Sequence, residues 1–198
     1  MRSKQLDALI SFTRRFDAKG WTPATSSNFS LRTDANTIAI TRSGRHKGLL
    51  SPADFMQLGL DGEPRDQGIP SAEAQLHLLL YNNFPAAAVL HTHSPIATVM
   101  SMAATTGAIQ FAGYEMLKAF AGVQTHSVEL ALAVYDNSQD IAVLADCIAP
   151  ELTQLQLPAF LIRGHGVYTW GESLDSAVRH LEALEFLLEC EWLRRTTR

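Results

Sequence analysis

The sequence predicts a layered α/β sandwich, one domain over residues 1–198, around a sheet that is at least partly antiparallel. Three observations carry this. Helical and strand-like periodicities alternate from end to end, so neither class is confined to one part of the chain. Residues 28–32 and 37–41 read as two short strands around Thr33-Asp-Ala-Asn36, a hairpin signal. A chain of 198 residues with 46% hydrophobic content suits a single sizeable core, with no repeat or linker to divide it.

Taken in order, residues 3–19 read as a helix with Leu6, Leu9, Ile10, Thr13 and Phe16 on one stripe and Gly20 as its stop. The 28–41 hairpin follows. Ser51-Pro52 signals a helix start, a capping serine before a proline at the first helical position. Ser71 opens a helix through Leu76 and Leu80 to Asn83. Residues 86–93 form a buried strand, and Ser94-Pro95 caps another short helix. A strand over 128–135 leads to a helix starting at Asn137 or Ser138 and ending near Pro150 or a few residues beyond. Pro158 precedes a strand over 159–163. A long amphipathic helix over 173–194 carries Leu174, Val178, Leu181, Phe186 and Leu188. Cys147 and Cys190 lie apart on apolar helical stretches, so buried free thiols are expected and a disulfide is not.

Charge excludes some functions. A formal net charge of -4 gives no basic footprint for nucleic acid, although Arg42-Ser-Gly-Arg45-His-Lys47 could serve a single phosphate. No apolar run approaches the roughly 20 residues that span a bilayer, and the amphipathic N-terminus lacks a signal-peptide pattern. A cytoplasmic protein is expected.

The histidines point to a metal. In Leu90-His91-Thr92-His93, two imidazoles at i and i+2 of a strand face one side. A third stands far off in Arg163-Gly-His165-Gly, also at a strand end, where the glycines remove bulk and permit unusual dihedrals. Three histidines with an open fourth position are a common way to hold catalytic zinc, and neutral imidazole also suits iron, cobalt and manganese. His46, His77, His126 and His180 lack paired spacing and read as helix-face or loop residues.

With their neighbours, these residues resemble the class II aldolase/adducin family. The motifs are Ser26-Ser-Asn28-Phe-Ser30, Ile40-Thr-Arg-Ser-Gly44, Lys47-Gly-Leu49, Pro70-Ser-Ala-Glu73, His91-Thr-His93 and Gly164-His-Gly166, and they cover nearly the whole chain. Gly113-Tyr-Glu115-Met-Leu-Lys118, residues 122–126 and Asp136-Asn-Ser-Gln-Asp140 resemble its dehydratase branch more than its aldolases or epimerases. The resemblance implies a three-layer α/β/α sandwich around a largely antiparallel sheet, and a homo-oligomer, a tetramer, with sites near subunit interfaces. It also implies one Zn2+ per subunit on His91, His93 and His165, and a small phosphorylated ketose as substrate.

Under this resemblance Glu115 is the first choice as acid/base and Glu73 the competitor, since the matching glutamate serves the aldolases. Ser27, Asn28, Ser43, Gly44 and Ser71 match phosphate-binding positions, with Lys47 as a possible cation. Taken alone, each has a plainer reading. Glu73 complements a helix dipole, Glu115 is a solvated carboxylate paired with Lys118, the serines are turns and caps, and Lys47 is a solvated lysine. Aldolase and epimerase activities on the same metal remain alternatives. A non-catalytic module like the adducin head would lack metal ligands, and here all three histidines are present.

Overall fold

The structure is a computed structural model and describes residues 2–197. Eight strands form one sheet in the order β3-β2-β1-β4-β8-β7-β6-β5. They are β1 (Asn28–Asp34), β2 (Thr37–Thr41), β3 (Phe55–Gly59), β4 (Ala88–Thr92), β5 (Ala108–Ala112), β6 (Glu129–Tyr135), β7 (Ala159–Ile162) and β8 (Gly166–Gly171). Every neighbouring pair is antiparallel except β6–β7. The helices are α1 (Arg2–Ala18), α2 (Ala74–Asn83), α3 (Pro95–Ala103), α4 (Ile141–Ile148) and α5 (Leu174–Thr196).

Strand periodicity divides the core in two. Along β4, Ala88 and Leu90 face a cluster with Leu9, Phe16, Met100, Leu181 and Leu188, from α1, α3 and α5. Val89 faces the opposite cluster, with Leu76, Leu80, Leu144 and Ile148 from α2 and α4. Helices therefore cover both faces, the α/β/α layering, and the central strands β4, β7 and β8 are buried throughout.

Several boundaries differ from the sequence reading. Ser51-Pro52 starts only one 3-10 turn, Pro52–Asp54, closed by Asp54 accepting from the Ser51 amide and hydroxyl. The chain then enters β3, a strand the capping signal conceals. Helix α2 begins at Ala74 rather than Ser71, and α4 begins at Ile141 because Asp140, not Asn137 or Ser138, caps the Ala142 and Val143 amides. Strands β5 and β8 are also absent from the sequence reading. In β8, the glycine-bounded Gly-Val-Tyr-Thr-Trp-Gly gives no polar alternation, because both its faces are buried between β4 and β7. The cysteines are free but not buried, Cys147 being exposed and Cys190 half-buried on the outer sides of their helices. Phe186 is likewise 47% exposed rather than on the buried stripe of α5.

Candidate metal centre

The register of the central strands builds the site. Asn28 of β1 pairs across from His91 of β4, and His91 from Tyr168 of β8, so three polar side chains form a row on the α2/α4 face. The Tyr168 ring stacks on His91 at 4.0 Å between centroids. His93 follows the end of β4, its backbone N–H donating to the Trp21 carbonyl at 2.8 Å. His165 lies in the tight β7–β8 connection, and the two glycines around it act differently. Gly164 takes φ +65°, whereas a Cβ on Gly166 would stand 2.1 Å from the Thr92 carbonyl oxygen.

The three rings form a near-equilateral triangle, with centroid separations of 4.5, 4.6 and 5.0 Å. Glu73, at the N-cap position of α2, closes it: Oε2 is 3.2 Å from His91 Nε2, and Oε1 is 2.9 Å from His165 Nε2. One ligand atom from each of these four residues lies within 4.8 Å of all the others.

The protonation pattern fits a cation here. His91 Nδ1 lies 2.9 Å from the Val167 carbonyl, which only accepts, so Nδ1 carries the hydrogen and Nε2 presents a lone pair. Burial pushes the His91 imidazole down to about 4, so it is neutral at pH 7. That lone pair faces the Glu73 carboxylate with no hydrogen bond between them, and His165 Nδ1 is also buried without a partner. A lone pair opposed to a carboxylate is costly unless a positive charge lies between them. Three imidazoles and one carboxylate suit a divalent transition ion.

Behind the centre runs a buried polar chain whose direction is fixed from one end. The Asn28 amide donates to Glu73 Oε2 at 2.6 Å, because a carboxylate only accepts. Asn28 Oδ1 then faces His77 Nε2 at 2.5 Å, which must donate. His77 Nδ1 must therefore accept from the Ser30 hydroxyl at 2.7 Å, and Ser30 from the Tyr81 hydroxyl at 2.9 Å. Burial raises the Glu73 carboxyl, while the hydrogen bonds from His165 Nε2 and the Asn28 amide pull it down, and the net direction is below the usual carboxylate range. His77 is fully buried and neutral, burial lowering it to about 3. It is not the helix-face residue its sequence position suggested.

A cleft of about 300 Å³ opens in front of Glu73, His93 and His165. Ser27, Asn28, Ser43, Gly44, Lys47 and Ser71 all line it. Thr25 and Ser27 on its wall take positive φ values of 62° and 73°, unusual for residues with a Cβ. Lys47 is buried rather than solvated, and burial lowers its amine to about 8. Its Nζ donates to the Thr25 and Arg45 carbonyls at 2.9 and 2.6 Å, leaving one N–H for the cleft. The Asn28 side chain is spent between Glu73 and His77.

Glu115 is not brought to this cleft. It stands on the 3-10 turn Glu115–Ala119, after the edge strand β5, with its side chain 70% exposed. Lys118 at 2.5 Å and His126 at 3.6 Å are its partners, and Lys118 lowers its carboxyl.

Arg42, from the basic cluster offered above to a phosphate, lines the cleft wall, whereas Gln139 beside it and the chain behind Glu73 were missed. That chain had a signal. Glu73, His77 and Tyr81 recur at i, i+4 and i+8, one helical stripe, while Asn28 and Ser30 share one strand face.

Fold and cluster together define a candidate mononuclear metal centre in an α/β/α sandwich. The chain matches the Class II Aldolase and Adducin N-terminal domain family over residues 7–192, and belongs to that family. It is 48% identical over 192 residues to a methylthioribulose-1-phosphate dehydratase of Acidiphilium cryptum, covering 96% of this chain and 90% of that protein. It is 47% identical to a protein of the same name in Pseudomonas syringae pv. syringae, with 96% of each covered. Among solved structures, an l-fuculose-1-phosphate aldolase from Thermus thermophilus superposes with a TM-score of 0.81 at 25% identity, covering 99% of this chain and 97% of that one.

Proposed function

We propose that this protein is a zinc-dependent hydro-lyase that converts 5-methylthioribulose 1-phosphate to 2,3-diketo-5-methylthiopentyl 1-phosphate and water, in the methionine salvage of the cytoplasm. The single observation that carries it is near-half identity, over almost the full chain, to dehydratases of that name, together with an intact three-imidazole cluster.

His91, His93 and His165 would hold the ion; burial keeps His91 and His93 neutral, and the Val167 carbonyl turns His91 Nε2 inward. The ion, when bound, supplies Lewis-acid stabilisation for the negative charge that develops beside the substrate ketone when the neighbouring C–H breaks. Ser27, Asn28, the Ser43-Gly44 turn and Ser71 line the phosphate end, where Lys47 braces two loops and offers its remaining N–H.

Net loss of water takes a proton from C3 and hydroxide from C4, so a carboxyl must accept one proton and return it to the leaving oxygen. Glu115 fills that role from a neighbouring copy in a homo-oligomer, a tetramer. Its exposed place on the edge turn, away from its own chain's cleft, supports this reading.

A second reading rests on Glu73, the carboxylate that does stand in the cleft. With Glu73 as acid/base, the same centre suits a sugar-phosphate aldolase or 4-epimerase. Turnover of 5-methylthioribulose 1-phosphate by zinc-loaded protein, with fuculose 1-phosphate and ribulose 5-phosphate as controls, separates the two. Diketone from the first sugar alone supports the dehydratase. Turnover of a control sugar alone overturns it and promotes Glu73.

A further inference from the structure

A second carboxylate lies on the opposite side of β4 from Glu73. Glu185 of α5 is 4% exposed in an apolar stretch that includes Leu181, Leu184 and Leu188. Its acceptors meet two hydroxyls: Ser94 donates to Oε2 at 2.6 Å and Thr92 to Oε1 at 3.4 Å. These are the residues on either side of His93.

The network continues past Ser94. The Ser94 Oγ also accepts from the Ala97 amide at 3.0 Å, starting α3. One turn later the Thr98 hydroxyl lies between the carbonyls of Ser94 and His165, at 2.9 and 3.1 Å. A path of hydrogen bonds thus runs from Glu185 to both flanks of His93 and on to the backbone of His165. His93 and His165 stand on short connections, whereas His91 is locked within β4 and by Val167, so those two need an external brace.

From this geometry we infer that Glu185 is a positioning residue for the metal centre, tying the β4–α3 and β7–β8 connections together so that His93 and His165 meet His91 at one point. The inference rests on the metal-centre reading above. Burial pushes the Glu185 carboxyl up to about 7, and leucine in this packing would avoid that desolvation. The carboxyl's contribution is therefore to the geometry of the hydroxyls it holds. Groups that orient metal ligands from behind typically change metal affinity by about 10- to 100-fold when removed.

The test measures zinc affinity by chelator competition and the visible spectrum of the cobalt(II)-substituted protein, in the full chain with its native assembly. Glu185→Leu is expected to stay folded, to bind zinc about 10- to 100-fold more weakly, and to shift the cobalt bands. Glu185→Gln keeps one acceptor for the Ser94 hydroxyl and offers Thr92 an amide N–H in place of the second acceptor, and is expected to restore affinity to within about threefold of wild type. Glu191→Leu removes an equally buried α5 carboxylate, one held by Tyr114 and Arg194 away from the cleft, and should lower thermal stability without changing zinc affinity. Should Glu185→Leu fail to fold, Thr98→Val cuts the branch to His165 and carries the same expectation of weakened zinc and shifted bands. Unchanged affinity and spectrum in the folded variant, or an equal loss in Glu191→Leu, overturns the inference while leaving the metal centre intact. A wild-type protein that takes up neither zinc nor cobalt overturns both.

Discussion

Replacing Asn28 with alanine tests the buried chain that fixes Glu73. The side chain is 4% exposed and makes two short bonds, donating to the Glu73 carboxylate at 2.6 Å and accepting from His77 Nε2 at 2.5 Å. A bond to a charged group is worth about 1.5–3 kcal/mol, and a stranded buried donor costs about 1–3 kcal/mol. The variant loses the first and leaves His77 Nε2–H as the second. A water in the vacated space recovers part of this, so the expected loss is about 3 kcal/mol. For a domain of this size that corresponds to about 6–12 °C in Tm. The assay is urea denaturation of chelator-treated protein, run also on His77→Leu and on the double variant. Removing His77 abolishes the stranded donor, so the pair should be less than additive, with a coupling of about 1 kcal/mol or more. A single variant within about 2 °C of wild type, with a strictly additive pair, would refute the chain.

Other outcomes follow from the same geometry. Gly166→Ala places a Cβ 2.1 Å from a backbone oxygen of the metal-bearing strand, so β8 must shift. A loss on the order of 4 kcal/mol, seen as a collapsed Tm or insoluble expression, is expected; normal stability would contradict the close approach. Metal-free protein should lose stability on acidification below about pH 6.5. Burial depresses His77 to about 3, His91 to about 4 and His93 to about 3, so the unfolded chain binds more protons in this window. Each proton is worth about 1.4 kcal/mol per pH unit; a flat urea midpoint from about pH 7 to pH 5 would show these imidazoles to be solvated. Glu115→Gln should keep its Tm and zinc content while losing at least about 100-fold in kcat. Mixed oligomers of Glu115→Gln and His91→Ala chains should regain part of the activity, since one chain brings an intact centre and the other an intact Glu115.

The layered fold and the metal cluster were legible because each rests on local patterns. His91 and His93 share a strand face, and the Gly-His-Gly motif announces its own strain and close approach. The hairpin and the long helices carry simple periodicity. Strands β3, β5 and β8 were not legible. A helix-capping signal masks the first, and total burial removes alternation from the last. The burial of Lys47 is invisible in the sequence, because it depends on the Thr25 carbonyl, 22 positions away, meeting it beside the nearby Arg45 carbonyl. Glu185 is similarly silent, its partners standing 91 and 93 positions away, a relation set only when α5 packs on β4.

The pairing of β4 with β8 has a consequence for the order of events in the life of the chain. His91 lies opposite Tyr168, 77 positions later, and the third imidazole arrives only with that long-range pairing. A growing chain that has just released β4 offers two histidines and no pocket. A pocket with all three imidazoles therefore exists only once the central sheet has closed.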